Sequence, residues 1–309
     1  MPFSDLLAHS GSPAPGPQAL DCVVVGGGPA GLTAGLYLRR FLREVCVVDA
    51  GAGRARRIAR SNNIAGFPEG ISGVALLARM TQHLQQVGGQ VRHGTVRALE
   101  RCADGVFAVE LEDGALRARR VILCTGVRDR LPAVPGAAAV EAADRLRYCP
   151  VCDGYEHRGR RVGVIGNSAH GVREAAFLLN FSRDVRFIDL GDGREPLGAA
   201  LQAAGVAALP GRLDRLALGP GGEVLATADD GAVHRFDVVY AALGVDPGAA
   251  LAAGLGAELD ELGNIEADEH GRTGVQHLYA AGDVVRALDQ IGVAVGQAAI
   301  AATAVHNSL

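Results

Sequence analysis

Short runs of β-branched residues, each ending in glycine or a carboxylate, alternate along this chain with stretches whose apolar positions recur at helical spacing. Asp21-Cys-Val-Val-Val leads directly into Gly26-Gly27-Gly28-Pro29-Ala30-Gly31. Leu32 to Leu42 then carries the helical period, and Glu44 to Asp49 reads as the next strand, so the segment predicts one βαβ unit. An Arg-rich stretch to Arg60 and a loop-like Asn62-Asn63-Ile64-Ala65-Gly66-Phe67-Pro68 precede an amphipathic helix from Ile71 to Val87. Val91 to Arg120 alternates in strand fashion around Asp104-Gly105 and Asp113-Gly114, which predicts a β-insert beside the sheet. Val121 to Gly126 reads as a buried strand with a small-residue turn, and Leu131 to Gly136 as a linker.

The pattern then restarts. Arg161 to Ile165 reads as a strand, Gly166 to Gly171 as a turn, Val172 to Phe181 as a helix and Val185 to Leu190 as a strand. Another buried strand spans Val238 to Leu243, and Leu278 to Asp283 gives a strand and turn before a small-residue helix from Ile291 to Asn307. The last segment suits a return to the first unit. The expected fold is α/β, with two Rossmann-like (three-layer ββα) nucleotide-binding domains, the second inserted into the first. The expected boundaries are a loose tail over 1–20, a first domain over 21–128 and 246–309, and a second over 129–245.

At 309 residues the chain is long enough for two such cores. Its 43 glycines and 4% aromatic content suit helices packed closely on parallel sheets. A net charge of -4 argues against nucleic acid as the main partner, since phosphate binding needs a concentrated basic face. The first residues lack the basic start and apolar core of a signal peptide. The longest uncharged apolar run, Cys22 to Leu38, is filled by the Gly-rich loop, so no membrane span is expected. Cys22, Cys46 and Cys124 sit in strand-like runs and read as small buried side chains. A cytoplasmic protein follows, because this is no secreted disulfide scaffold.

In Gly26-x-Gly28-x-x-Gly31 the first glycine permits a tight turn, the second lets backbone approach a pyrophosphate, and the third lets helix and strand pack closely. The helix N-terminus offers N–H groups and a positive dipole end to phosphate. Asp49, at the end of the next strand, would accept ribose hydroxyls and disfavour a 2′-phosphate. The loop alone fits flavin or nicotinamide dinucleotides. Gly282-Asp283, a second carboxylate at a strand end, turns the reading towards flavin.

Between the two halves lies Cys149-Pro150-Val151-Cys152-Asp153-Gly154. A Cys-x-x-Cys at a helix start can close a disulfide, and the helix dipole raises the thiolate fraction of its first thiol. Asp153 is placed to shuttle a proton to or from a leaving thiolate. Structural zinc needs four ligands, and only His157 is near in sequence.

Taken in order, Gly26-Gly-Gly-Pro-Ala-Gly31, Asn63-Ile-Ala-Gly66-Phe67-Pro68, Cys124-Thr-Gly126, Cys149-Pro-Val-Cys152-Asp153-Gly154 and Ala281-Gly282-Asp283 with Gln290 resemble the low-molecular-weight thioredoxin reductase family. The resemblance runs from about Asp21 to the C-terminus. It implies FAD held at Gly26, Gly28, Pro29, Ala30, Gly31, Asp49, Asn63, Thr125, Gly126, Gly282, Asp283, Gln290 and Ile291. It also implies a redox disulfide in which Cys149 attacks the partner and Cys152 faces the flavin, with Asp153 as acid/base. A thioredoxin-like protein or small-molecule disulfide or dithiol would be the partner, and a homodimer the assembly.

Two departures bear on the electron donor. The second turn, Gly166-Asn167-Ser168-Ala169-His170-Gly171, has Ser168 at the close-approach position. After the next strand the chain reads Asp189-Leu190-Gly191-Asp192-Gly193-Arg194, where NADPH-using members carry a His-Arg-Arg cluster. Asp189 would repel a 2′-phosphate and accept ribose hydroxyls, favouring NADH if any pyridine nucleotide binds. NAD(P)H use therefore stays open beside ferredoxin-dependent reduction, oxygen-reoxidised dithiol oxidation and a low-turnover flavin redox sensor. Arg54, Arg56, Arg57 and Arg60 fit three roles: holding an anionic cofactor group, docking an acidic carrier, or forming a solvated basic surface.

Overall fold

Strand Leu20–Val25 lies at the centre of a sheet, with Val45–Asp49 and then Gln90–His93 on one side and Gly114–Leu123 on the other, all parallel. These strands belong to a computed structural model that describes residues 19–191 and 196–309. The tail before residue 19 and Asp192-Gly193-Arg194 lie outside the described residues. Leu278–Ala280 adds a further parallel strand against Gly114–Leu123, so the chain's last strand does return to its first sheet. Phe107–Leu111 and Val96–Arg101 complete the sheet as an antiparallel extension. The insert and the buried strand, read as separate elements, are one ten-residue strand from Gly114 to Leu123. Its first half pairs antiparallel with Phe107–Leu111 and its second half parallel with Leu20–Val25. Polar Arg119 and Arg120 fall at the changeover and hid the continuity.

A second parallel sheet repeats the plan. Val162–Gly166 is flanked by Val185–Asp189 with Ala207–Ala208 on one side and by Val238–Ala242 with Leu146–Arg147 on the other. Beside it stands an antiparallel meander, Leu213–Leu218, Val224–Ala228 and Val233–Phe236, that the sequence pattern did not reveal. The two halves are joined by two passages of chain that pair with each other as an antiparallel ribbon, Val127–Asp129 with Val245–Pro247.

The helices form where local chemistry favours them. Pro29–Arg40 starts with Pro29 in its first turn, where the missing N–H is harmless, and ends on Arg39 and Arg40, which suit the negative end of the dipole. Gly73–Gln86 is capped by Ser72, whose hydroxyl accepts from the Ala75 N–H at 3.2 Å. The final helix, Ile291–Asn307, buries Ala294, Ala298, Ala301, Ala302 and Val305 in the same core as Leu32, Ala34 and Leu38 of the first helix. Such small side chains let the two helix axes approach closely. At Gly35 a β-carbon would stand 2.6 Å from Val47 Cγ2, so helix and sheet are in backbone-close contact there. Among the described residues no helix is long and apolar enough to cross a membrane.

Candidate active site

In each parallel sheet the central strand is followed by neighbours on opposite sides, so its C-terminal turn opens into a crevice between them. In the first sheet that turn is Gly26–Gly31. A β-carbon at Gly26, where φ is +113°, would lie 2.2 Å from the Cys124 carbonyl oxygen, and one at Gly31 would lie 1.8 Å from the Gly26 carbonyl oxygen. Both positions therefore exclude any side chain. A β-carbon at Gly28 would meet nothing within 4 Å, so space stands open over the start of helix Pro29–Arg40. Neither that helix nor Ile291–Asn307 has a side-chain N-cap, which leaves both N-termini to other acceptors. Gly282, with φ +84°, sits so near the first helix that its β-carbon would be 2.9 Å from Ala30 Cβ. Thr125 Oγ1 donates to the Gly248 carbonyl at 2.7 Å, and the Gly126 carbonyl accepts from the Gly248 N–H at 2.8 Å, which ties this turn to the returning chain. Open room over Gly28, two uncapped helix starts and the carboxylates of Asp49 and Asp283 fit a dinucleotide with ribose hydroxyls and a pyrophosphate.

The arginine segment is not a free basic surface. Arg54–Arg57 forms a 3₁₀ turn whose guanidiniums reach into the site. Arg54 donates to Asp129 Oδ1 at 2.7 Å and Oδ2 at 3.1 Å, to Asp283 Oδ2 at 3.1 Å and to Asp289 Oδ2 at 3.4 Å. One cation thus serves three carboxylates. Burial and the neighbouring Asp283 push the Asp289 carboxyl up to about 6, while burial, opposed by Arg54, raises Asp283. Arg56 donates to Asp49 Oδ2 at 3.1 Å, and Asp49 Oδ1 accepts from the Gly51 N–H at 3.0 Å. Arg57 pairs with Glu141 and donates to Tyr148 Oη at 3.2 Å. Its guanidinium lies 5.1 Å from the Tyr148 ring centroid, and Tyr148 itself donates to Glu141 Oε1 at 2.7 Å. Arg57 therefore links the first sheet's side of the molecule to the residue preceding Cys149.

Cys149 and Cys152 are disulfide-bonded, with Cys149 as the N-cap of the short helix Pro150–Asp153. The Gln290 side-chain amide donates to both sulfurs, at 3.3 Å to Cys149 and 3.4 Å to Cys152. Gln290 is also the N-cap of the final helix, so Ile291 begins that helix at the same place. Asn63 donates to Gln290 Oε1 at 2.8 Å. The structure thereby gathers Asn63, Gln290 and the two cysteines from three distant parts of the chain. Asp153 is buried, its Oδ1 accepting from the Tyr240 hydroxyl at 2.6 Å and its Oδ2 from Arg147 Nε at 2.5 Å. Neither Arg147 nor Tyr240 carried a signal in the sequence, because Tyr240 reads as one more apolar strand residue. Burial and the nearby Asp153 push the Tyr240 hydroxyl up, and burial lowers His157, whose ring stands edge-on to Tyr240 at 6.1 Å. Cys22, Cys46 and Cys124 are buried free thiols, and burial pushes Cys124 up to about 12, which makes it inert as a nucleophile. No group of His, Cys, Asp or Glu among the described residues is arranged to hold a metal ion.

The second turn repeats part of this architecture. Asp189 ends its strand and accepts from the Gly191 N–H at 2.8 Å, as Asp49 does from Gly51, and both glycines have positive φ, +79° and +78°. His170, at the start of helix Ala169–Leu178, pairs with Glu174 at 3.1 Å one turn on.

Residues 20–298 match the pyridine nucleotide-disulphide oxidoreductase family. Thioredoxin reductase from Peptoclostridium litorale is 28% identical over 313 residues, covering 91% of this chain and 94% of the relative. The F subunit of alkyl hydroperoxide reductase in Xanthomonas campestris pv. phaseoli is 30% identical over 307 residues, covering 94% of this chain. The chain spans only 57% of that relative's length. The crystal structure of thioredoxin reductase from Streptococcus pyogenes superposes with a TM-score of 0.83 at 29% identity, over 94% of this chain and 97% of that one. The chain belongs to the pyridine nucleotide-disulphide oxidoreductase family, a class of FAD-dependent disulfide oxidoreductases. Within it the chain is of the thioredoxin reductase-like type, with the two-domain Rossmann-like fold.

Proposed function

We propose that this protein passes electron pairs between FAD and the Cys149–Cys152 disulfide, and on to a disulfide or dithiol outside the molecule. The observation that carries the reading is the Gln290 amide on both sulfurs, 3.3 and 3.4 Å away. A pair carried by the second half is thereby set against the half whose glycine cradle fits a dinucleotide. Residues 21–128 and 246–309 would form the FAD domain and 129–245 the inserted domain. Gly26, Gly28, Pro29, Ala30 and Gly31 would meet the pyrophosphate, Asp49 a ribose and Asp283 the ribityl region. Thr125, Gly126, Asn63, Gln290 and Ile291 would lie by the ring system.

Bound flavin supplies a two-electron carrier; the chain's residues do the rest. Cys149, partly buried at the helix cap, exchanges with the external sulfur through a mixed disulfide. Cys152 leaves as a thiolate. Asp153, next to Cys152 in the chain and held by Arg147 and Tyr240, would be the acid/base group. A thioredoxin-like protein or a small-molecule disulfide is the partner class, in a homodimer working in the cytoplasm. The four cysteines outside the pair are free thiols, as a reducing compartment keeps them. Cys152→Ser should retain the yellow cofactor and lose disulfide turnover. Full turnover in that variant contradicts the assignment.

Asp189 favours a second reading of the electron source. A carboxylate already fixed by the Gly191 N–H suits a free ribose and repels a 2′-phosphate. On that reading NADPH is not the donor: NADH is the pyridine nucleotide favoured if one binds, and otherwise ferredoxin or oxygen exchanges electrons with the flavin. Oxygen uptake with a dithiol and no pyridine nucleotide supports this; rapid flavin bleaching by micromolar NADPH overturns it.

A further inference from the structure

The hydrogen bonds around Gln290 run in one direction. Ser61, 7% exposed, donates from its hydroxyl to Asn63 Oδ1 at 3.0 Å, so the Asn63 carbonyl oxygen is engaged and its NH₂ is turned the other way. That NH₂ donates to Gln290 Oε1 at 2.8 Å, which in turn leaves the Gln290 NH₂ facing the two sulfurs. Were the Gln290 amide reversed, its oxygen would face sulfur and its NH₂ would face another NH₂. Each bond thus fixes the orientation of the next.

We propose that Ser61, Asn63 and Gln290 form a relay that holds an N–H donor on the Cys149–Cys152 pair and stabilises the thiolate released when the disulfide opens. The proposal rests on the reading of that pair as the redox centre. A sulfur in a disulfide is a weak acceptor, whereas a thiolate is a strong one, so the same N–H contributes far more after the bond breaks. This is stabilisation of developing charge by a donor already in place. In exchange with an external dithiol, one thiolate of the reagent attacks Cys149 Sγ, the Cys149–Cys152 bond breaks and Cys152 departs as thiolate. The reagent's second thiol gives up its proton and attacks the mixed disulfide, which frees Cys149 and leaves the reagent as a disulfide. The reagent loses two electrons and the protein pair gains them. At each departure the sulfur that takes the charge lies beside the Gln290 N–H. Gln290 is then a catalytic residue, and Asn63 and Ser61 are positioning residues acting through it.

The holoenzyme tests this through thiol titration. The protein is reduced with excess dithiol, freed of reagent without oxygen, and alkylated with iodoacetamide across a pH series, with Cys149 and Cys152 followed separately by mass spectrometry. Gln290→Met keeps much of the shape and removes the donor without adding a charge. The thiolate fraction at neutral pH should fall at least tenfold, equivalent to about 1.4 kcal/mol, with the alkylation midpoint moving up by about one pH unit. Asn63→Leu, which leaves Gln290 intact but free to turn, should move the midpoint in the same direction by a smaller amount, about threefold in thiolate fraction. The other charged groups around the pair are unchanged in both variants: Asp153 on its own helix, Asp289 with His170, Arg147, and the Arg57–Glu141 pair behind Tyr148. An unchanged midpoint in either variant overturns the relay. The underlying reading fails separately, if anaerobic photoreduction of the wild-type flavin leaves the disulfide intact.

Discussion

Asp289 is a carboxylate whose ionisation the surroundings resist. Its carboxyl is raised to about 6 by burial and by Asp283, against an ordinary carboxylate near 4. The folded chain therefore keeps a proton that the unfolded chain gives up between about pH 4 and 6. Stability from this group is present below that window and is lost as pH rises through it. Asp289→Asn has no such titration, so its stability relative to wild type should rise across the window. The gain should be about 1–2 kcal/mol, discounted because the side chain is 30% exposed. Denaturant melts at pH 4, 5, 6 and 7 check it, and a difference independent of pH would contradict the assigned environment. The sequence made Asp283 visible through its glycine turn, but it said nothing of Asp289 or of Arg54 as their shared cation. Arg54 meets Asp129, Asp283 and Asp289 across separations of 75, 229 and 235 residues, which no local pattern records. The same holds for Asp153: its place after Cys152 was legible, whereas Arg147 and Tyr240, which hold it, were not.

Among elements, those with a strong period were legible and those without were not. The first βαβ unit and the amphipathic helix from Gly73 to Gln86 fall within a few residues of their expected bounds. The meander over 213–236 escaped because its strands are short, partly exposed and broken by a bulge at Leu213/Arg215. The 3₁₀ turn Arg54–Arg57 looked like a charged loop, yet it joins the two halves. Arg57 pairs with Glu141 and Tyr148, next to Cys149, and such a partly exposed pair contributes up to about 1 kcal/mol. Arg57→Ala should therefore loosen the dithiol segment and raise the rate of disulfide reduction by an external dithiol roughly fivefold. Stopped-flow reduction of the wild type and variant measures this. An equal rate would show that Arg57 does not restrain the segment.

For the molecule as a whole, the two sheets are joined by the paired passages Val127–Asp129 and Val245–Pro247, and Gln290 of the returning chain meets the sulfur pair carried by the other half. The order of motifs made this architecture legible in advance, because each glycine turn follows a strand and opens a helix. The relative placement of the halves was not legible, since it depends on contacts such as Gln290 with both cysteines across 141 and 138 residues. Whether the flavin and this disulfide share electrons is decided by anaerobic titration of the purified yellow protein with a two-electron reductant. Wild type should consume two electron pairs per flavin before the yellow colour is fully bleached, and Cys152→Ser should consume one. Equal consumption by the two proteins would mean that the sulfur pair takes no electrons from the flavin.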